Sequence, residues 1–247
     1  MLAPIESGVA VVHPVEWFLV TLSIYRRAFT RAGALAIKNW AVLGTVFVYS
    51  AIMSAAGIFA VMLGMIGGFL VSLVSAACVS SFLYLVEMMV RTSRVSLDDF
   101  RSSFGRYLWD VVGVAFLSWL FFSLATPAIL QMPQGRLILL CVQLGIFVFF
   151  NAVPELIYLG HYSSVQLLSE SYAFVTANWI EWFPANIAAA AILYTVGTIP
   201  LDGVAMVART ALMGLLVYFV MVMRGLLFIE LHGSSYRARA FKYRSGG

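Results

Sequence analysis

Charge is scarce in this chain: Asp, Glu, Lys and Arg make up only 11% of its 247 residues, while 62% are apolar. Soluble domains carry about a quarter charged residues, so water is excluded as the main solvent. Cysteine is nearly absent. Cys78 and Cys141 both fall inside apolar runs with no spacing that suggests a disulfide or a metal site, so they read as small hydrophobes. Also missing are a Gly-x-Ser-x-Gly elbow, a phosphate-cradling loop, a dinucleotide fingerprint, a Cys-x-x-Cys pair and a His-Glu-x-x-His zinc pattern. The start, Met1-Leu2-Ala3-Pro4-Ile5-Glu6, lacks the basic and apolar stretches of a cleaved signal, and no processing is expected.

What the chain does have is long uncharged stretches. None of the residues from Trp40 to Val86 is charged, and as one helix that segment would reach roughly 70 Å across a hydrocarbon core of roughly 30 Å. It must fold back, and Gly64-Met65-Ile66-Gly67-Gly68 is the easiest place to turn. Further runs lie at about 108–130, 137–160, 182–201 and 209–231. Backbone polar groups in lipid must be satisfied within the segment, so the runs are expected to be helices. The expected fold is all-α: a polytopic membrane bundle of about six transmembrane helices in three hairpins. It forms a single domain, with an N-terminal amphipathic segment at 1–38, the bundle at 39–231 and a basic tail at 232–247.

Basic residues set the orientation. Arg26, Arg27, Arg31 and Lys38 precede the first run; Arg91, Arg94, Arg101 and Arg106 separate the second and third; Arg237, Arg239, Lys242 and Arg244 follow the last. All twelve fall on one side of a six-span layout, which predicts cytoplasmic termini in a cell membrane, the inner membrane of a bacterium. Arg26, Arg27, Arg31, Arg237, Arg239, Lys242 and Arg244 are read as lipid-headgroup contacts. The tail interleaves aromatic and basic residues, but beside a membrane the anionic leaflet is a nearer partner than nucleic acid. Trp40, Trp109, Trp179 and Trp182 are expected at headgroup level, and Trp119 in packing.

Each hairpin has an amphipathic segment before it. The first, about 15–38, sets Phe18, Leu22, Tyr25 and Phe29 against Glu16, Ser23, Arg27 and Thr30. The second, about 95–109, sets Leu97, Phe100, Phe104 and Leu108 against Asp98, Arg101 and Ser102. The third, about 163–180, sets Val165, Leu168, Tyr172 and Val175 against Glu170 and Asn178. Each even-numbered span also ends near a glutamate: Glu87, Glu155 and Glu230. This order of amphipathic helix and paired spans resembles bacterial multi-pass proteins of unknown function, including the membrane domain attached to some glycerophosphodiester phosphodiesterases. The metal-binding catalytic domain of those enzymes has no counterpart here, so the resemblance implies a fold and no reaction.

Span 2 carries Gly64, Gly68, Ser72, Ala76 and Ser80, a small residue at every fourth position, as a packing stripe. Ionisable groups inside spans cost roughly 2.5–3.5 kcal/mol and mark candidate sites. Arg224 either snorkels to the interface or pairs with a glutamate. Gln143, Asn151 and Glu155 share one face of span 4, and Pro154 would free a backbone carbonyl near Asn151. The candidate intramembrane polar cluster is therefore Glu87, Gln143, Asn151, Glu155, Arg224 and Glu230. His161 and His232 lie near the glutamates without metal-ligand spacing, and His13 reads as interfacial. No catalytic residue, metal or cofactor is assigned. Three functions fit: an accessory, scaffold or assembly subunit partnered by lipids, by other membrane subunits or by itself; a transporter or channel using a polar lane on span 4; or a lipid-modifying enzyme working through Glu87, Glu155, His161 or Glu230.

Overall fold

The computed structural model describes residues 14–160, 162, 164–234, 239 and 241. Every regular element among them is helical. In chain order these are α1 (Pro14–Lys38), a 3₁₀ turn (Trp40–Val42), α2 (Leu43–Leu63), α3 (Met65–Thr92), α4 (Leu97–Ser102), α5 (Leu108–Leu130), α6 (Gly135–Phe149), α7 (Val153–Glu155), a π-turn (Leu156–Gly160), α8 (Ser164–Thr198) and α9 (Val204–Leu231). Five stretches are long and apolar enough to cross a membrane: Trp40–Leu63, Ile66–Thr92, Leu108–Leu130, Gly135–Gly160 and Val204–Leu231. The chain is a multi-pass integral membrane protein with an all-α fold. The sixth expected span corresponds to the second half of α8, where Glu181, Pro184 and Asn186 dilute the apolar character.

The α2–α3 hairpin turns at Gly64, whose φ of 58° suits a residue without Cβ. The packing stripe expected on α3 is buried in its second half, at Ala76 and Ser80, but not in its first. A Cβ on Gly68 would meet nothing within 4 Å, and Ser72 is exposed; the close approach is made by Gly67, where a Cβ would run into the backbone of Ala60 on α2. A Gly67→Ala change therefore has to pry the hairpin apart, and its expected cost is about 1–3 kcal/mol, as for other overpacked sites. Gly68→Ala is expected to be silent. Thermal unfolding of the two variants in mild detergent checks this, and equal midpoints would contradict the packing described.

α9 is the hub, in contact with α1, α2, α3, α7 and α8. α1 straps the bundle at the basic end. Near its start Trp17 Nε1 donates to Glu181 Oε1 of α8 (3.2 Å), and at its middle Tyr25 donates to the Glu181 carbonyl (2.5 Å). Arg27 pairs with Glu230 of α9. At its end, Asn39 donates to the Ser93 carbonyl and accepts from the Val95 amide, which ties it to the end of α3. The face it buries is Val20, Ile24, Ala28, Ala32 and Leu35, whereas Phe18, Leu22 and Phe29, expected to form the apolar face, are more than half exposed. The first half of α8 keeps only part of its expected apolar face inside: Val175 is buried and Leu168 half-buried, with Leu167, Ser171 and Phe174 beside them, while Val165 and Tyr172 are exposed. Compact side chains line most of the α1 contact because they let helix backbones approach closely, and large aromatic ones are left facing outward.

The second amphipathic segment shrinks to α4, six residues closed by a capping box in which Ser96 Oγ accepts from the Asp99 amide and Asp99 accepts from the Ser96 amide. The third is continuous with the span after it. α8 bends at Asn178 (φ −127°, ψ 20°), six residues ahead of Pro184, whose ring and missing N–H disturb the preceding turn.

Burial is polarised. The core gathers the ends of α3 (Leu83–Val90) and α9 (Tyr218–Leu231), the α7 region, α1 and the start of α8. Toward the other end the helices expose Ile58, Phe59, Phe116, Leu124, Leu140 and Val204, and α5 buries no residue at all. Trp119 belongs to this outward belt, 63% exposed beside Phe116, so it is not a packing residue.

Candidate functional site

The most concentrated polarity in the bundle arises where α6 stops. Pro154 has no N–H to offer the carbonyl of Phe150, and the helix breaks between Phe149 and Val153 before resuming as α7 and a π-turn. The carbonyls around the break find other donors: Phe149 accepts from the Ser171 hydroxyl (2.9 Å), Phe150 from the Val153 amide (3.2 Å), and Asn151 from Arg224 Nη2 (2.6 Å). Backbone groups in hydrocarbon must be satisfied, and within the break the Asn151 carbonyl is taken by a guanidinium from α9.

The same guanidinium grips Glu155 with two parallel bonds, Nε to Oε1 at 2.8 Å and Nη2 to Oε2 at 2.9 Å. This is the fork geometry that arginine offers a carboxylate. The Glu155 side chain is 0% exposed and that of Arg224 12%. Trp182 covers the pair: the guanidinium carbon lies 5.1 Å from its ring centroid, and its Nε1 donates to Asn151 Oδ1 at 3.0 Å. Four residues from three elements thus meet, Asn151 and Glu155 from the broken helix, Trp182 from α8 and Arg224 from α9. Arg224 does not snorkel. Trp182, expected at headgroup level, is fully buried, whereas Trp40, Trp109 and Trp179 are largely exposed.

The remaining candidates disperse. Glu87 pairs with Arg91 one turn later (3.0 Å) and accepts from the Tyr107 hydroxyl; burial pushes the Tyr107 phenol well up from its usual value, with the Glu87 charge acting in the same direction. Arg91 also donates to the Leu159 carbonyl in the π-turn (3.1 Å). Glu230 takes Arg27 at 3.0 Å. Each glutamate of the repeat thus has a different arginine, and Glu87 and Glu230 do not join the Arg224 cluster. Gln143 is exposed on α6, because the break at 150–152 resets the helical register and parts it from Glu155; the continuous polar lane on span 4 is not formed. Beside Arg224, Asn151 and Asn186 there is instead a cavity of about 190 Å³, walled by Phe147, Phe183 and Val220, and Asn186 Oδ1 has no partner among the described residues.

A second polar site, not anticipated from the sequence, lies at the bend of α8. Glu181 collects Trp17 Nε1 and Arg239 Nη2 (3.4 Å), while Arg239 Nη1 also reaches Asn178 Oδ1 (3.3 Å) and the Ser234 carbonyl (3.2 Å). Arg239 is 9% exposed in its side chain, which removes it from the headgroup contacts. Arg26 and Arg31 are exposed and Arg27 is partly engaged by Glu230; Arg237, Lys242, Arg244 and His161 lie outside the described residues. A cleft of about 900 Å³ opens between this site and His232, whose ring packs on Phe228 and Phe174. Among the described residues no group of His, Cys, Asp and Glu could hold a metal.

Burial pushes the Tyr25 phenol up to about 12, helped by the Glu181 charge. In the unfolded chain tyrosine loses its proton near pH 10, so the folded state holds that proton longer. Its contribution is complete below about pH 10 and is lost as the pH rises toward 12. The unfolding midpoint is expected to fall over that interval, and Tyr25→Phe, measured side by side, should flatten the slope.

A third network was equally hidden. Ser81 Oγ lies 2.5 Å from Ser103 Oγ and 2.7 Å from the Tyr49 hydroxyl, and Ser80 Oγ accepts from the Tyr107 amide at 2.9 Å. The Ser80-Ser81 and Ser102-Ser103 pairs hinted at it, but serines at helix ends usually bond locally, so no spacing singled them out. Compared with protein-family models, with curated proteins and with solved structures, the chain gives no match.

Proposed function

We propose that this chain is a non-enzymatic subunit of a membrane complex, an accessory, scaffold or assembly protein, with six spans in a bacterial inner membrane and its basic end in the cytoplasm. One observation carries the reading: the deepest charge is closed on itself. Both oxygens of Glu155 are held by Arg224, whose remaining reach goes to a backbone carbonyl and a tryptophan face. A carboxylate held this way fixes how α6, α8 and α9 pack, and it is poorly placed to bind and release a solute. Glu87, Glu155 and Glu230, the carboxylates open to the enzyme reading, each serve a separate arginine. The twelve basic residues on one side support the orientation. The resemblance to bacterial multi-pass proteins fits this reading at the level of fold.

α5 supplies the surface for a partner, since it buries none of its residues within the chain. Gentle purification from native membranes, followed by identification of what travels with the chain, is the test. Co-purification that disappears when Phe116, Trp119 and Leu124 are changed to Ala supports the proposal; a chain that always emerges alone opposes it.

The transport reading keeps one observation in its favour, the 190 Å³ cavity bounded by Asn151, Asn186 and Arg224. A cysteine at Asn186 that reacts with a membrane-impermeant thiol reagent would favour it, and an inert one would leave the scaffold.

A further inference from the structure

We propose that the groove between α1, the second half of α8 and α9 is a binding site for one anionic phospholipid, with its phosphate on Arg26 and an acyl chain between α8 and α9. The groove has a volume of about 510 Å³. Its floor is kept open by small side chains, Ala185, Ala188 and Ala189 on α8, and its far wall is Phe219, Val220 and Met223 on α9. Along α9 it runs from Leu216 to Leu227, roughly 16 Å at helical rise, or about half of a 30 Å hydrocarbon core. That is the depth of a single leaflet, hence the length of an acyl chain rather than of a crossing helix.

The charge at the mouth selects the occupant. α1 passes over the groove, anchored on each side of Arg26: Tyr25 is bonded to α8 through the Glu181 carbonyl, and Arg27 is paired with Glu230 of α9. Arg26, between them in the sequence, lies on the outward side of α1, opposite the buried Ile24 and Ala28. Its hydrocarbon stem borders the groove, whose wall presents no polar surface, while the exposed guanidinium makes no ion pair with any described residue. A guanidinium with free donors above an apolar slot matches a phosphate joined to hydrocarbon. Arg31, close by in the sequence, adds positive charge, which disfavours a headgroup carrying an amine and favours a net negative one. The site stands independently of the scaffold reading and requires only that the chain lie in a bilayer.

The full chain in lipid nanodiscs containing a phosphatidylglycerol probe with a photoactivatable tail provides the test, with a phosphatidylcholine probe of the same tail as comparison. Cross-links from the anionic probe are expected to concentrate in residues 185–192 and 216–227 and to exceed those from the zwitterionic probe. Arg26→Gln, a change at an exposed side chain, should lower that ratio about tenfold, the loss of one charge-assisted contact. Ala188→Trp, also at an exposed position, should fill the slot and abolish groove labelling while labelling of α5 persists, which reports that the bundle is still folded. Equal labelling by both probes, or labelling indifferent to Arg26→Gln, overturns the proposal.

Discussion

Substituting Arg224 by methionine is expected to lower the unfolding free energy in mild detergent by about 3–5 kcal/mol, the cost of leaving a buried charge without its partner. Glu155 is 0% exposed, and the arginines paired with the other two glutamates of the repeat are already engaged: Arg91 by Glu87 and Leu159, and Arg27 by Glu230. Glu155→Leu should cost a similar amount by stranding Arg224. The double variant Glu155→Leu, Arg224→Met removes both charges and should recover most of the loss, because apolar replacements of a whole buried pair are often neutral. Arg224→Lys is expected to behave like a loss. An ammonium cannot repeat the two parallel bonds to Glu155 and still reach the Asn151 carbonyl. Equilibrium unfolding of the four variants decides the matter, and a silent Arg224→Met would mean that the pair does not hold α6 to α9. The same set bears on function: a scaffold made with the double variant should retain its partner, whereas a transporter that needs the charge should fail.

Trp182→Ala is expected to cost about 3–5 kcal/mol, as large aromatic truncations in cores do. The ring is fully buried, lies edge-on to Phe174 at 5.1 Å and covers the Arg224 guanidinium. Trp182→Phe should be milder, retaining an aromatic face but leaving Asn151 Oδ1 without its donor, a loss of about 1–3 kcal/mol. Because Trp182 and Arg224 touch, their effects should not add; a double-mutant cycle is expected to return a coupling of about 0.5–3 kcal/mol. Strict additivity in that cycle would show that the stacking contributes nothing.

The helix break is an instance of what could be read in advance. Pro154 four residues after Phe150 forbids one backbone bond whatever surrounds it, and the structure breaks α6 there. Arg224 is similar in part: a guanidinium in an apolar run needs an anion or an exit. Which anion was another matter, since Glu87, Glu155 and Glu230 occupy equivalent places in their hairpins. The bundle resolves the choice by depth, giving the innermost arginine to Glu155 and leaving the other two glutamates to Arg91 and Arg27 near the surface. Gln143 shows the limit of helical spacing, since an eight-residue interval defines a shared face only while the helix continues.

Composition and periodicity alone determined that this chain is helical, that it lives in a bilayer and that the first long run turns at Gly64, because hydrocarbon imposes those outcomes on any long uncharged run. That α8 begins at Ser164 and α9 at Val204 was not legible in them. Only the tertiary structure decided which face of each helix is inside. In water a large apolar side chain is driven toward the core, but next to lipid that drive is missing, so Phe18 and Phe29 of α1 look outward and mainly smaller side chains line the α1 contact, whereas on α8 Tyr172 and Trp179 face out and Phe174 and Trp182 face in. For the same reason Trp182 could not be told from the exposed tryptophans by sequence: all carry the same amphipathic ring near the end of an apolar run, and only the arrival of Arg224 from α9 marks one of them as interior.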